Sequence, residues 1–481
     1  MPMSFAPFRS ASPSVRPHPL RCLPGLLLAG VLAPVIAGAD DGRRWLPGDH
    51  HVHSEWSVDW DRSTTPPTPI RGGDSPYSRS QNAQRAQANG LVWMVHTDHG
   101  GPGHSRVTDE HAWPAVQLAR REVPGVIQFH GMEFDVPAAE HASLVMAPGP
   151  DENAQLVAIE RDYNRREVED ATRDSEQAML EALKYMRGLR PAPVLFVNHP
   201  ARTATGIGRW GAVTPAELRA WQDTAPEVVI GMEGAPGHQA APGTEADHRH
   251  RGFYRNPEAP TLGGFDQMTA RVGSVWDGML AEGRRFWITA NSDSHRNTEL
   301  GGADFQPGEY SKTYVWARPD ADDIIAGMRG GRMFAVTGDL IDALELRVSA
   351  PGNPAAAATS GGTLQLKQAQ AVHVELRLRE PKGPNRNGDT PRIDHVDLIV
   401  GRAGQGGTPD MQVRRIERAA LRREGDWLVL REDVAVPAQG AFVRVRGSNT
   451  DQAEPALDAQ GEDPWQDLWF YSNPVFVEVA R

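Results

Sequence analysis

Five short clusters of histidine and acidic residues, each closing an apolar run, constrain this chain more than any other feature. They are Asp49-His50-His51-Val52-His53-Ser54 with Asp59 beyond it, His96-Thr97-Asp98-His99, Gly131-Met132-Glu133-Phe134 with His141 beyond it, Asn198-His199-Pro200-Ala201-Arg202, and Asn291-Ser292-Asp293-Ser294-His295. In an extended chain, residues two apart face the same way. His51 with His53, and Asp293 with His295, therefore each offer two donors to one point. Any one cluster reads equally well as solvent-facing histidines or a capping aspartate. Five in one region point to a common site, because titratable groups at the ends of buried strands are costly unless paired or bound to metal.

The apolar runs predict strands over 91–97, 126–134, 194–198, 228–233 and 286–291. Between them, 79–89 reads as a helix stopped by Gly90 and 170–187 as a long amphipathic helix. Thr214-Pro215-Ala216-Glu217 is a capping box with proline at the first helical position. Buried strands alternating with helices imply parallel β/α units, in a barrel or an open doubly wound sheet. In a barrel the strand ends converge on one mouth, which would bring the five clusters together. The stretch 235–264 shows no periodicity and predicts a long loop near that mouth, carrying His238, His248 and His250. After Leu340 the character changes. Of the 17 histidines, 14 lie between His50 and His295, and only His373 and His395 follow. Alternating runs at 372–378, 395–400, 427–430 and 441–445 predict an all-β region, with 350–362 as a connector near its start. The expected division is α/β over 44–340 and all-β over 341–481.

The formal net charge is −12, which argues against nucleic acid as a partner, since phosphate backbones are held by a surplus of Lys and Arg. A small phosphorylated substrate stays open, because a bound metal supplies positive charge locally. The first 39 residues read as a secretory leader. Arg9, Arg16 and Arg21 precede a short apolar stretch from Leu23 to Ile36, and Ala37-Gly38-Ala39 forms a small-x-small cleavage site. Cleavage there would leave a more acidic, periplasmic or secreted chain with no membrane span. The single cysteine, Cys22, lies inside that leader, so any metal in the mature chain must be held by nitrogen and oxygen. Imidazole with carboxylate suits Zn, Mn or Fe better than Mg or Ca.

With these motifs in this order, the segment from Leu46 to His295 resembles the polymerase and histidinol phosphatase (PHP) family. The resemblance implies a distorted (β/α)7 barrel holding two or three divalent ions. Carried over motif by motif, the implied ligands are His51, His53, Asp59, His99, Glu133, His141, His199, Asp293 and His295, with Glu133 as the bridging carboxylate. The segment from Gly330 to Asp339, and the ending Tyr471-Ser472-Asn473-Pro474-Val475-Phe476-Val477, resemble the carbaryl-hydrolase-type (CehA/McbA-like) branch. That branch appends a β-sandwich to the barrel.

The chemistry implied is ester hydrolysis, with two ions about 3.5–4 Å apart acidifying a water and clamping the attacked group. Glu133 and Asp293 are expected at its centre. Arg202 is expected to pin a phosphate oxygen; a surface arginine is the plainer alternative. Asp98, with His96, is expected to orient His99 or carry a proton. His104, His111 and His130 read as ordinary structural histidines. Trp56 and Trp60, interleaved with the first ligands, would either wall an aromatic pocket or simply pack. Three functions follow: a phosphatase or phosphodiesterase on a small substrate, a carboxylester or carbamate hydrolase on the same ions, or a metal-loaded binding protein without turnover.

Overall fold

All five apolar runs are strands; four of them carry clusters within or just beyond their ends, the run at 228–233 carries Glu233, and the first cluster follows a further strand, at Arg44–Asp49. The computed structural model describes residues 41–237, 254, 256–296, 304–403, 408–459 and 463–480. The leader over 1–39 with Cys22, and His238, His248 and His250, lie outside them. The strands are β1 (Arg44–Asp49), the short pair β2 (Asp59–Asp61) and β3 (Thr68–Ile70), β4 (Trp93–His96), β5 (Ile127–Asp135), β6 (His141–Val145), β7 (Val194–Val197), β8 (Val229–Ala235) and β9 (Trp287–Ala290). Helices α1 (Arg79–Ala88), α2 (His104–Val107), α3 (Trp113–Glu122), α4 (Glu152–Tyr163), α5 (Glu176–Gly188), α6 (Pro215–Thr224) and α7 (Val275–Ala281) fill the connections. Ser78 with Gln81, and Thr214 with Glu217, close capping boxes on α1 and α6. The expected helix over 170–187 is shorter. Ser175 accepts a hydrogen bond from the Ala178 amide and starts α5 there, leaving one 3-10 turn at Ala171–Arg173.

β1, β4 and β5 run parallel, as do β7, β8 and β9. β6 departs from the expected series of parallel β/α units, being antiparallel to both β5 and β7. Its physical reason is length: the connection 136–140 is far too short for a crossover, so β5 and β6 form a hairpin. β1 also pairs antiparallel with β10 (Ser311–Ala317), which pairs with β11 (Met333–Thr337); α8 (Ala321–Arg329) lies between those two in sequence. The segments that follow β1 and β9 meet through one parallel bridge, Val52–Ser294, where the His53 amide donates to the Ser294 carbonyl at 3.0 Å. Among the described residues the ladder is thus a large mixed sheet and not a closed barrel.

The remainder is all-β: β12 (Ala343–Ala350), β13 (Asn353–Thr359), β14 (Thr363–Leu366), β15 (Ala371–Arg379), β16 (His395–Ala403), β17 (Pro409–Glu417), β18 (Arg422–Glu424), β19 (Trp427–Ala435), β20 (Ala441–Ser448), β21 (Trp469–Ser472) and β22 (Val475–Val479). Pairing is antiparallel except between β14 and β22. Alternate residues of β12 and β15, such as Leu344, Leu346, Val374 and Leu376, share one buried cluster with Val396, Val443 and Val445 of the second sheet. The expected connector over 350–362 is largely strand β13, which pairs only with β12 in its sheet. An edge position tolerates Pro354, which has no amide hydrogen to donate. The large sheet continues across Leu340, since β11 pairs with β21 and Phe334 lies opposite Ser472. Side chains cross the same boundary: Arg444 of β20 grips Asp277 of α7 with two bonds of 2.7 and 2.8 Å, both groups fully buried.

Candidate metal centre

The strand ends deliver their clusters to one place. His51 and His53 follow β1, His99 follows β4, Glu133 lies in β5, His199 follows β7, and Asp293 and His295 follow β9. The hairpin adds His141, which begins β6 opposite Asp135. His199 and Asp293 adopt left-handed backbone (φ 29° and 47°), a strain that persists only where surrounding structure over-determines it. At Asp293 that surround is close. The chain leaving β8 passes directly over it at Gly237, where a Cβ would fall 2.1 Å from the Ser292 backbone.

Glu133 is the hub. Its Oε1 lies 3.2 Å from His51 Nε2, 3.1 Å from His141 Nδ1 and 3.0 Å from His199 Nε2, while Oε2 lies 2.9 Å from His99 Nδ1. Asp293 Oδ1 lies 3.0 Å from His51 Nε2 and 3.1 Å from His53 Nε2. Four overlapping groups have donor atoms close enough to share a cation: His53, Asp74, His99 and His295; His51, His53 and Glu133; His99, Glu133 and His141; and Glu140, His141 and His199.

Hydrogen bonds on the far side of the rings assign which nitrogens carry lone pairs. His51 Nδ1 donates to Glu233 at 2.7 Å. Ser57 spends its own hydrogen on Asp74 at 2.6 Å, so its oxygen accepts from His53 Nδ1 at 3.0 Å. Lone pairs on His51 Nε2 and His53 Nε2 therefore face each other at 3.0 Å, with the Asp293 carboxylate against both. Such an array repels itself unless a cation sits within it. Two ligands of one tetrahedral ion with bonds of about 2.0–2.1 Å lie about 3.3 Å apart, close to this spacing. The buried donor set fits a metal ion.

Electrostatics agree that the cage favours positive charge. Burial works against charged His51, yet Asp293, Glu133 and Glu233 outweigh it and raise its pKa well above that of a free imidazole. Glu133 and Asp293 are likewise held far below the ordinary carboxylate range against their burial, Glu133 by His141, His99 and His51, and Asp293 by His51 and His295. Burial pushes Glu233 up to about 7, with His51 opposing it.

Several expected residues lie elsewhere. Asp59 belongs to none of the four groups; it sits on β2, exposed, with its side chain against Gly73. Asp74 stands where a trailing carboxylate was expected. Asp98 is a structural anchor: its oxygens accept from the Ser54 amide and hydroxyl and from Arg79, and burial is outweighed so that its pKa falls to about 2. A carboxylate so held faces Ser54 and Arg79 rather than the His99 ring it was expected to orient. His96 turns instead to Gln128. Arg202 reaches the rim, where it bonds Glu140 at 2.5 Å and approaches His141 Nδ1 at 3.4 Å.

Glu233, Asn198 and Asp74 had no role expected of them from the sequence. Glu233 spans two ligands, with Oε1 on His51 and Oε2 accepting from the His199 amide at 2.6 Å. The signal was present: a carboxylate ending an otherwise apolar strand. Asn198 accepts from the Ser143 amide and turns its NH2 to Glu133 at 2.9 Å.

Behind the first ligands, His104 is clamped between Glu160 (2.6 Å) and the Trp56 carbonyl (2.8 Å). Burial opposes its charge, but Glu160 and these bonds raise its pKa to about 9. Its value in an unfolded chain is about 6.5, so this stabilisation is complete below that pH and is lost as pH rises through about 9. We expect the melting temperatures of metal-loaded wild type and His104→Gln to converge between pH 6.5 and 9.5. A constant gap across that window would contradict the assignment. Comparison with protein-family profiles and with curated proteins returns no match.

Proposed function

We propose that this chain is a metal-dependent ester hydrolase of the PHP kind, acting first on phosphoesters and exported by its leader. The observation that carries this reading is the pair of imidazole lone pairs facing each other at 3.0 Å against the Asp293 carboxylate. His51, His53, His99, Glu133, His141, His199, Asp293 and His295, with Asp74 in place of Asp59, would hold two or three ions of Zn, Mn or Fe. Ions held there would supply Lewis acidity and an acidified water. The chain's own groups do the rest. Glu233 and the Ser57–Asp74 pair fix the rings of His51 and His53, and Glu133 joins donors from four other segments. Arg202 keeps a guanidinium at the rim, where an anionic substrate oxygen would meet it. The six parallel strand ends and the Val52–Ser294 bridge are what a distorted barrel would require.

Carboxylester or carbamate hydrolysis is the second reading. A cleft of about 850 Å³ at Asp74 and His99 shares Val58, Trp60 and Pro102 with a second one of about 830 Å³, walled by Trp56, Pro66 and Val107. That volume admits substrates much larger than a phosphate monoester. The test is turnover of 4-nitrophenyl phosphate, bis(4-nitrophenyl) phosphate and 4-nitrophenyl acetate by protein stripped with chelator and reloaded with Zn, Mn or Fe. Metal-dependent cleavage of either phosphate supports the first reading, and cleavage of the acetate alone supports the second. Full loading without turnover of any of them would overturn both and leave a binding protein.

A further inference from the structure

Away from the cage, a pocket of about 370 Å³ lies where the large sheet meets the five-stranded sheet. Trp45 of β1 and Trp316 of β10 give it an aromatic wall, Glu345 of β12 and Arg377 of β15 face them, and Ser360 enters from the turn after β13. It shares no lining residue with either cleft beside the cage. Trp45 stands near the start of β1 and His51 just past its end, about 20 Å apart along an extended strand. The pocket is separate from the metal centre.

Its walls are fixed by the fold. The pairing of β1 with β10 sets Trp45 opposite Trp316, and the two indoles meet edge to face with centroids 5.4 Å apart. Phe334 braces Trp45 from another side at 4.8 Å. Glu345 lies opposite Arg377 in the β12–β15 ladder. The turn that carries Ser360 is pinned, because the Gly361 amide donates to the Pro474 carbonyl at 2.7 Å and the Gly362 amide to the Thr359 carbonyl at 2.8 Å. Gly361 is in left-handed backbone (φ 80°), and a Cβ there would fall 1.7 Å from the Gly330 carbonyl oxygen.

Two polar groups in these walls are unspent. The Ser360 hydroxyl, in a residue 5 % exposed, and the Trp45 indole N–H are buried and have no hydrogen-bond partner among the described residues. Buried polar groups are costly when left unmade, and folded proteins leave few of them so. The charged groups, by contrast, are matched. Arg377 lies 3.4 Å from Glu345, Arg431 bonds Glu375 at 2.7 Å, and Arg332 faces Asp323 at 3.9 Å. Arg347, exposed, turns to the Pro354 carbonyl.

We propose that this pocket binds a neutral saccharide, one or two rings of a glycan, with a ring face on the Trp45–Trp316 wall and hydroxyls on Ser360, the Trp45 N–H and the Glu345–Arg377 pair. A sugar ring joins an apolar C–H face to a rim of hydroxyls, which suits an indole wall flanked by unspent polar groups. A purely aromatic ligand would cover the indoles and leave Ser360 and the Trp45 N–H without partners. An ionic ligand would find the carboxylates already paired. The volume is at the small end of ligand pockets, in keeping with one or two rings. The site needs no metal, so it stands or falls apart from the hydrolase reading.

Isothermal titration calorimetry of the full-length chain with maltose, cellobiose and diacetylchitobiose tests this, with indole as the apolar control. At least one disaccharide should bind with a Kd of about 1 mM or tighter. Trp316→Ala should weaken that binding by about tenfold. Ser360→Ala should weaken it by about threefold without lowering the melting temperature, since its hydroxyl has no partner to lose. This second variant serves if Trp316→Ala does not fold. Asp293→Asn and chelator-stripped protein should bind the sugar as wild type does. No binding of any of these sugars by wild type, binding unchanged in both pocket variants, or binding lost with the metal would each overturn the proposal. Indole bound in place of sugar would overturn the saccharide assignment in favour of an apolar ligand.

Discussion

Glu133→Gln should empty the cage and lower any metal-dependent turnover by about a thousandfold or more, with the fold kept. Glu133 Oε1 is surrounded by His51, His141, His199 and the Asn198 NH2, and Oε2 by His99. Glutamine removes the negative charge that joins these donors. It also turns an NH2 either onto the Asn198 NH2 or toward His99, so neither orientation replaces what is lost. The backbone ladder of β5 is unaffected by the exchange, because Glu133 contributes its side chain alone to the cage. Ions per chain and turnover should fall together while circular dichroism stays that of wild type. Full metal content in Glu133→Gln would show that Glu133 is not the hub.

Asp277→Asn carries the largest expected cost in stability. Arg444 is buried in the face where α7 meets the C-terminal strands, its guanidinium between Trp276 and Tyr471 and held by two bonds to Asp277. Removing one partner of a buried pair leaves an uncompensated charge, at about 3–5 kcal/mol. Asp277 also accepts from the Gly273 amide at 2.8 Å, so the turn before α7 loosens with it. Chemical denaturation should report the loss as a lower midpoint. The double variant Asp277→Asn, Arg444→Met should recover part of it, since the stranded charge is then gone. A single variant within about 0.5 kcal/mol of wild type would mean that water reaches the guanidinium.

What could be read from the sequence was local. An apolar run closed by His, Asp or Glu marks a strand end and its cargo without reference to distant parts of the chain: all five runs are strands, four bring His99, Glu133, His199 and Asp293 with His295 to one place, and the fifth brings Glu233 to His51. What escaped depended on chain reversal. β6 needed the length of the 136–140 connection to be weighed against a crossover, and Asp74 needed the β2–β3 hairpin to fold its loop onto Ser57. The pairing of β11 with β21 joins Phe334 to Ser472, a partnership no local pattern announces. Asp98 was misread for the opposite reason. Its neighbour His99 is in the cage, but along a strand end successive side chains point apart, and Asp98 turned inward to Arg79.

If the metal reading holds, the lone pairs between His51, His53, Glu133 and Asp293 enclose a cation. The most direct measurement is the metal content of the purified full-length chain, by inductively coupled plasma mass spectrometry, before and after reloading with Zn, Mn or Fe. At least one ion per chain should survive dialysis and be lost in Asp293→Asn. Protein that stays free of metal after reloading, or an Asp293→Asn variant that keeps the full complement, would contradict it.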